Sequence, residues 1–328
     1  MSSLSSVSGR IDIVGLGSCT VDFFALVSKL IGADEKINAT GFEIHAGGVT
    51  ANNLTQVARL GASAAWIGLL GDDDNARIIR QAFADDGMDL GGIEAVPGER
   101  SSFTWIPVDS GGERSIYMFP NITARVTPEQ IRTRFAAHIR GARHFHTEAS
   151  QLPMAPVLEA MRLARDAGVR VIFDLDVAPG DFIKAGLSTE AQMMEALLLS
   201  DVLKPCKAAA RELTGQTDYG RIAARLLEMG PGLVAITMGS EGCVIAGGGK
   251  NVHAPSYRVN VVDTTGAGDA FMGGLSFALL RGADFQGVGA FANACAALCC
   301  TRVGARAMAR LSEVEALVNS RATTSTVG

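Results

Sequence analysis

The chain has 328 residues, 48% hydrophobic but only 6% aromatic, with 38 glycines and a formal charge of −5. That length is ample for a sizeable core in one large domain or two, and the glycine-rich, aromatic-poor composition suits an α/β enzyme. An acidic balance, with a pI near 5.6 and no run of like charges, argues against nucleic acid or an anionic membrane as partner and in favour of a small molecule.

Met1 to Arg10 is serine-rich without the apolar segment of a signal peptide, and no apolar stretch approaches the roughly 18 residues of a membrane span, so a cytoplasmic location is expected. Arg10 to Gly17 alternates into an apolar strand. Its Gly15-x-Gly17 is a poor dinucleotide fingerprint, because Thr20 stands where a third glycine belongs. Asp22 follows at the carboxyl end of that strand, where open α/β sheets place ligands; on residues alone it is either a ligand contact or a strand terminator. Lys36 to Ile44 and Ser101 to Phe119 alternate like half-exposed strands, with turn signals at Asp109 to Gly112, and can pair into a small sheet outside the core. Between them, His45 to Asn53 leads into a helix expected over Leu54 to Leu60, ending at Gly61. Asp72 to Asp74 open another helix from Asn75 to Ala84, where acids compensate the dipole more readily than they bind metal.

Downstream, apolar strands and helices alternate from His144 to Thr237, which predicts a parallel sheet covered on both faces. His144 and His146 alone make a weak metal pair, and the six cysteines show no Cys-x-x-Cys spacing and are expected as buried free thiols. There is no P-loop string. Val261 to Gly274 reads as strand, glycine loop and helix. The amides of Gly266, Ala267 and Gly268 can converge with the positive end of the following helix to form an anion site. Asp269 at its mouth is either a helix cap or a base that takes a proton from a hydroxyl attacking phosphorus.

The string Asp263-Thr264-Thr265-Gly266-Ala267-Gly268-Asp269 resembles the C-terminal signature of the PfkB (ribokinase-like) family of carbohydrate and nucleoside kinases. Gly47-Gly48, Asn52 and Ala58-Arg59-Leu60-Gly61 resemble its N-terminal signature. The resemblance covers roughly Ile11 to Leu317. It implies a doubly wound, mainly parallel α/β sheet flanked by helices, with a small β-sheet lid. The kinase domain would span 10–320, with the lid from about 23–45 and 100–120, and flexible tails at 1–9 and 321–328. It further implies ATP-dependent phosphorylation of a hydroxymethyl group on a sugar or sugar-like polyol, with Mg2+. Asp269 would be the base and Gly266, Ala267 and Gly268 the anion hole. Asp22, Gly47, Gly48 and Asn52 would contact the substrate, with Asn53 in place of Asn52 if the register slips. Thr237, Gly239, Gly242, Asn293 and Ala297 would line the nucleotide site, Asp263 would lie where many members bind a monovalent cation such as K+, and two lids would pack into a homodimer.

Two departures from the family pattern stand out. Cys206-Lys207-Ala208-Ala209 replaces Asn-x-x-Glu, which helps organise the magnesium water shell, and Asp174 to Ala178 replaces Asp-x-Asn-x-Arg. Arg114, on the lid, is a candidate for an anionic group of the substrate or simply a solvated side chain. A nucleoside kinase, with Phe103 and Trp105 clamping a second base, and a non-catalytic sugar or nucleotide sensor are the competing readings.

Overall fold

The computed structural model describes residues 10–324, with side chains through residue 320; the expected tail 1–9 and residues 325–328 lie outside the described residues. A central sheet of eight strands runs in the order Lys250–Ala254, Cys243–Gly247, Leu233–Thr237, Val202–Pro205, Arg170–Leu175, His144–Ala149, Ile13–Leu16 and Ala64–Trp66. The six strands from Leu233–Thr237 onward are parallel, and the first two are added antiparallel at one edge. Parallel strands joined by helical crossovers are buried on both faces, which is why they read as apolar throughout. Along Arg170–Leu175, Val171 and Phe173 face one layer, with Met161 and Leu226 from the helices Met154–Asp166 and Tyr219–Glu228. Ile172 faces the other, with Phe271, Leu275 and Val288 from Ala267–Leu280 and Phe285–Cys299. No helix among the described residues is long and apolar enough to cross a membrane.

On that second face the helices Val49–Arg59, Ala267–Leu280 and Phe285–Cys299 approach closely. A Cβ on Gly273 would strike Gln56 and the Asn53 carbonyl, and one on Gly274 would strike Cys295. This small-residue contact fixes which turn of Val49–Arg59 lies against the start of Ala267–Leu280. The former helix begins at Val49, earlier than expected. Its N-cap is Gly48 at φ 99°, with no side-chain cap, and the β-branched Val49 and Thr50 mask the start in the sequence. Gly15 and Gly17 serve the same packing, since side chains there would strike Leu54 and Thr50.

A separate four-stranded sheet has the order Gly41–Gly47, Thr20–Leu26, Phe103–Val108, Tyr117–Phe119. The strand expected from Lys36 begins instead at Gly41, and Thr20–Leu26 forms the centre, pairing parallel with Phe103–Val108. Asp22 and Thr104 share one face of it. Phe23, Phe103 and Trp105, one residue off in each strand, belong to the other. The aromatic pair suggested for a second base therefore lies on the face opposite Asp22. Of the three adjacent acids, Asp73 caps Asp74–Asp85 and accepts from the Ser101 amide and hydroxyl, while Asp72 accepts from the Gly98 amide. The final helix runs from Leu311 to Thr324, past the expected domain end at 320.

Candidate active site

Asp269 sits in the first turn of Ala267–Leu280, and the close contact with Val49–Arg59 brings Asn52 Nδ2 to 2.8 Å from its Oδ2. Gly266 caps the helix at φ 78°, where a side chain would also overlap the Ala305 carbonyl. The first turn of a helix leaves N–H groups pointing out of its end. Of the three amides expected in the anion hole, that of Ala267 turns back to the Thr264 carbonyl at 3.2 Å.

Burial pushes the Asp269 carboxyl well above the usual carboxylate range, and the charges of Asp176 and Asp174 push the same way. The Asn52 hydrogen bond and Lys204 oppose the shift without cancelling it. Asp269 is half-buried, so protein desolvates it without sealing it from solvent.

On the acceptor side, Asp22 Oδ1 accepts from Thr20 Oγ1 (2.6 Å) and Thr104 Oγ1 (2.5 Å), and its Oδ2 presses on the backbone of Gly47, where a Cβ would overlap it. Gly48 packs on the backbone of Ser18 and Cys19. Behind them Glu148 is fully buried and ties the wall together, accepting from the Ser18 amide (2.9 Å), Thr50 Oγ1 (2.8 Å) and Ser150 Oγ (2.5 Å). Ser18 Oγ and Asn52 Oδ1 are buried with no hydrogen-bond partner. Unsatisfied polar atoms suit a ligand rich in hydroxyls. Asn53 turns away from Asp269, its Nδ2 lying 2.8 Å from Nε2 of His146, whose burial lowers its pKa to about 3.

A sequence profile of the pfkB family carbohydrate kinases matches residues 10–311. The chain belongs to this family. It is an ATP-dependent kinase that phosphorylates an alcohol group. It is 31% identical over 312 residues to an ATP-dependent ribose-1-phosphate kinase of Halopiger xanaduensis, covering 94% of this chain and 98% of that one. Among solved structures it is similar to Arabidopsis thaliana ribokinase complexed with ribose and ATP (TM-score 0.83, 25% identity, 94% and 99% of the two chains). It is also similar to an E. coli protein assigned as ribokinase II, in complex with ATP and Mg2+ (TM-score 0.82, 25% identity, 94% and 99%). The two-sheet architecture is the ribokinase-like fold.

In this kinase the expected nucleotide residues gather around the segment after Lys250–Ala254. Gly239 and Gly242 bracket the turn that follows Thr237, and Gly242 packs on the Ala254 carbonyl. Asn293 is buried and donates to Ala254 O (2.8 Å) and Pro255 O (3.3 Å), so its amide group holds that segment to the helix; Ala297 lies one turn further along. Asp263 accepts from the Thr265 and Gly304 amides, both at 2.9 Å, pinning the glycine loop to the loop at 304. Burial would raise its pKa, but these hydrogen bonds and the nearby Arg114 outweigh it and hold the carboxyl below its usual value. Arg114 donates to Thr265 Oγ1 at 3.1 Å, joining the small-sheet segment to the same loop.

Sequence reasoning passed over a buried charge cluster below the cleft. Lys204 Nζ pairs with Asp174 Oδ1 at 2.8 Å, with 4% and 0% of the side chains exposed, and lies 3.9 Å from the point a Cβ on Gly268 would occupy. Asp174 Oδ2 has no partner. Asp176, half-buried, is raised to about 7 by burial and by the charge of Asp174. A lysine inside an otherwise apolar parallel strand was the available signal.

These oxygens suit Mg2+, which the similar E. coli structure holds together with ATP. It is a hard cation that keeps several waters and binds through one or two carboxylates plus phosphate oxygens. Among the described residues no three acidic, histidine or cysteine side chains converge into a cage for a bare ion.

Proposed function

We propose that this kinase transfers the γ-phosphoryl group of ATP to a hydroxymethyl group of a sugar or sugar-like polyol, with Asp269 as general base. The observation that carries this reading is the hydrogen bond from Asn52 to Asp269. It holds a desolvated carboxylate in the first turn of a helix, beside the start of the helix that follows Gly47 and Gly48. Asn52 engages one carboxylate oxygen and leaves the other for the acceptor hydroxyl. A carboxylate whose proton affinity is raised by burial is a stronger base than a solvated one. The backbone amides of Gly266 and Gly268 and the charge of Lys204 stabilise negative charge on the transferred group, where preorganised donors act most strongly. Mg2+ bound with ATP supplies further neutralisation of the phosphate oxygens.

Asp22, braced by two threonine hydroxyls, accepts hydrogen bonds from substrate hydroxyls. The small sheet excludes water, so that ATP is not hydrolysed. The relatives' names span ribose, ribose 1-phosphate and fructose as acceptors, so pentoses and hexoses both belong in the panel. Release of ADP across a panel of sugars and nucleosides, with a thermal-shift screen of the same compounds beside an ATP analogue, tests the reading. Turnover and binding by no sugar would end it.

Arg114 beside Thr265 is placed to meet an anionic substituent of the acceptor, a role tested by comparing sugars with sugar acids in Arg114→Ala. Both oxygens of Asp263 already accept backbone N–H groups. K+ beside it would rest on the remaining lone pairs and loop carbonyls, and kcat in K+ against tetramethylammonium reads this out. Phe42, Ile44, Trp105, Tyr117 and Phe119 leave an apolar surface exposed on the small sheet, which a second copy would cover. Loss of dimer mass in Phe42→Asp checks that. A requirement for ATP supports a cytoplasmic location.

A further inference from the structure

In this chain Cys206 and Ala209 occupy the positions of the missing Asn-x-x-Glu residues. Ala209 is fully buried, and the Cys206 thiol caps its own helix through the Ala209 amide at 3.4 Å, so neither side chain offers an oxygen. The adjacent strand does. Leu175 is in register with Pro205, and the Cys206 amide donates to the Leu175 carbonyl at 2.8 Å, so Asp176 emerges directly beside Cys206. Asp176 is half-buried. Behind it, fully buried Asp174 holds Lys204 with one oxygen and has no partner for the other. Asp174, Asp176 and Asp269 thus surround one ammonium group, an excess of acidic side chains whose ionised form a cation beside Asp176 would favour.

We propose that Asp176, backed by the Asp174 and Lys204 pair, is the carboxylate that orders the hydrated magnesium of Mg·ATP in this kinase, in place of the absent Asn-x-x-Glu pair. The inference rests on reading the cleft as the Mg·ATP site. Asp176 acts through magnesium-bound water and is a positioning residue. Removing an outer-shell partner of a metal site lowers metal affinity by about 10- to 100-fold.

The experiment is calorimetric binding of AMP-PNP to the full chain, with and without Mg2+, for native protein, Asp176→Asn and Asp176→Glu. The gain in AMP-PNP affinity on adding Mg2+ is expected to shrink by about tenfold or more in Asp176→Asn and to recover in Asp176→Glu, while affinity without metal is unchanged or improved in Asp176→Asn. Mn2+ bound with AMP-PNP should show a weakened paramagnetic signature in Asp176→Asn alone. A full Mg2+-dependent gain in Asp176→Asn overturns the assignment and leaves the kinase reading standing. Native protein that binds no AMP-PNP removes both. Thermal melting establishes that each variant is folded. Should Asp176→Asn not fold, Asp176→Ser takes its place with the same expected loss.

Discussion

Replacing Asp269 by asparagine removes one negative charge with almost no change of shape. The asparagine retains an oxygen for Asn52 Nδ2, whose 2.8 Å hydrogen bond therefore survives. Because burial, then Asp176 and Asp174, already oppose the charge at this position, the native state loses nothing by becoming neutral there. The acceptor hydroxyl, however, has no base. General-base catalysis is worth about 10²- to 10⁴-fold, which at 1.36 kcal/mol per factor of ten is about 3 to 5 kcal/mol of barrier. Asp269→Asn should therefore melt at or above the native temperature and bind sugar by calorimetry as the native protein does. In an ADP-release assay at saturating ATP its kcat should fall by about two to four orders of magnitude. The native enzyme's kcat should decline on acidification from a pH above the usual carboxylate range, and the variant should lack that limb. A kcat within about tenfold of native, or an unchanged acid limb, would refute the base assignment.

Other perturbations separate the parts of the site. Gly47→Ala drives a methyl group into Asp22 Oδ2; losing charged hydrogen bonds worth about 1.5–3 kcal/mol should raise the sugar KM by about 10- to 100-fold and leave the ATP KM unchanged. Lys204→Met strands Asp174 in the core and should cost about 3–5 kcal/mol in denaturant unfolding, with much of that recovered when Asp174→Leu is added. Asp176, with an ordinary value of 3.8 raised to about 7 in the fold, binds its proton more tightly folded than unfolded, so its favourable contribution is lost as pH rises through about 7. The melting temperature of unliganded Asp176→Asn minus that of the native protein should therefore grow between about pH 5 and about pH 8; a constant difference would contradict the buried-charge account.

The elements legible in the sequence were those whose cause is local. Apolar parallel strands and the Asp263 to Asp269 loop each declare themselves within a dozen residues, although Val261 and Val262, read as a strand ahead of that loop, lie exposed and outside any strand. The start of Val49–Arg59 was hidden because a left-handed glycine does the work of a side-chain cap, and the centre of the small sheet because Thr20–Leu26 finds its parallel partner some 80 residues away, as the Asp22 to Thr104 hydrogen bond shows. Lys204 and Asp174, 30 residues apart, meet only through strand register. The aromatics at 103 and 105 misled in the same way, since strand alternation, invisible until pairing is known, turns them from Asp22.

Asp22 and Gly47 stand on the small sheet, whereas Asn52 and Asp269 stand on helices of the main body. On the proposed reading the acceptor would lie in a seam between two bodies, and the gap from one jaw to the other would act as a calliper. A compound too short to touch both jaws leaves its hydroxyl away from the base. Water, the smallest hydroxyl nucleophile, would be graded out by reach.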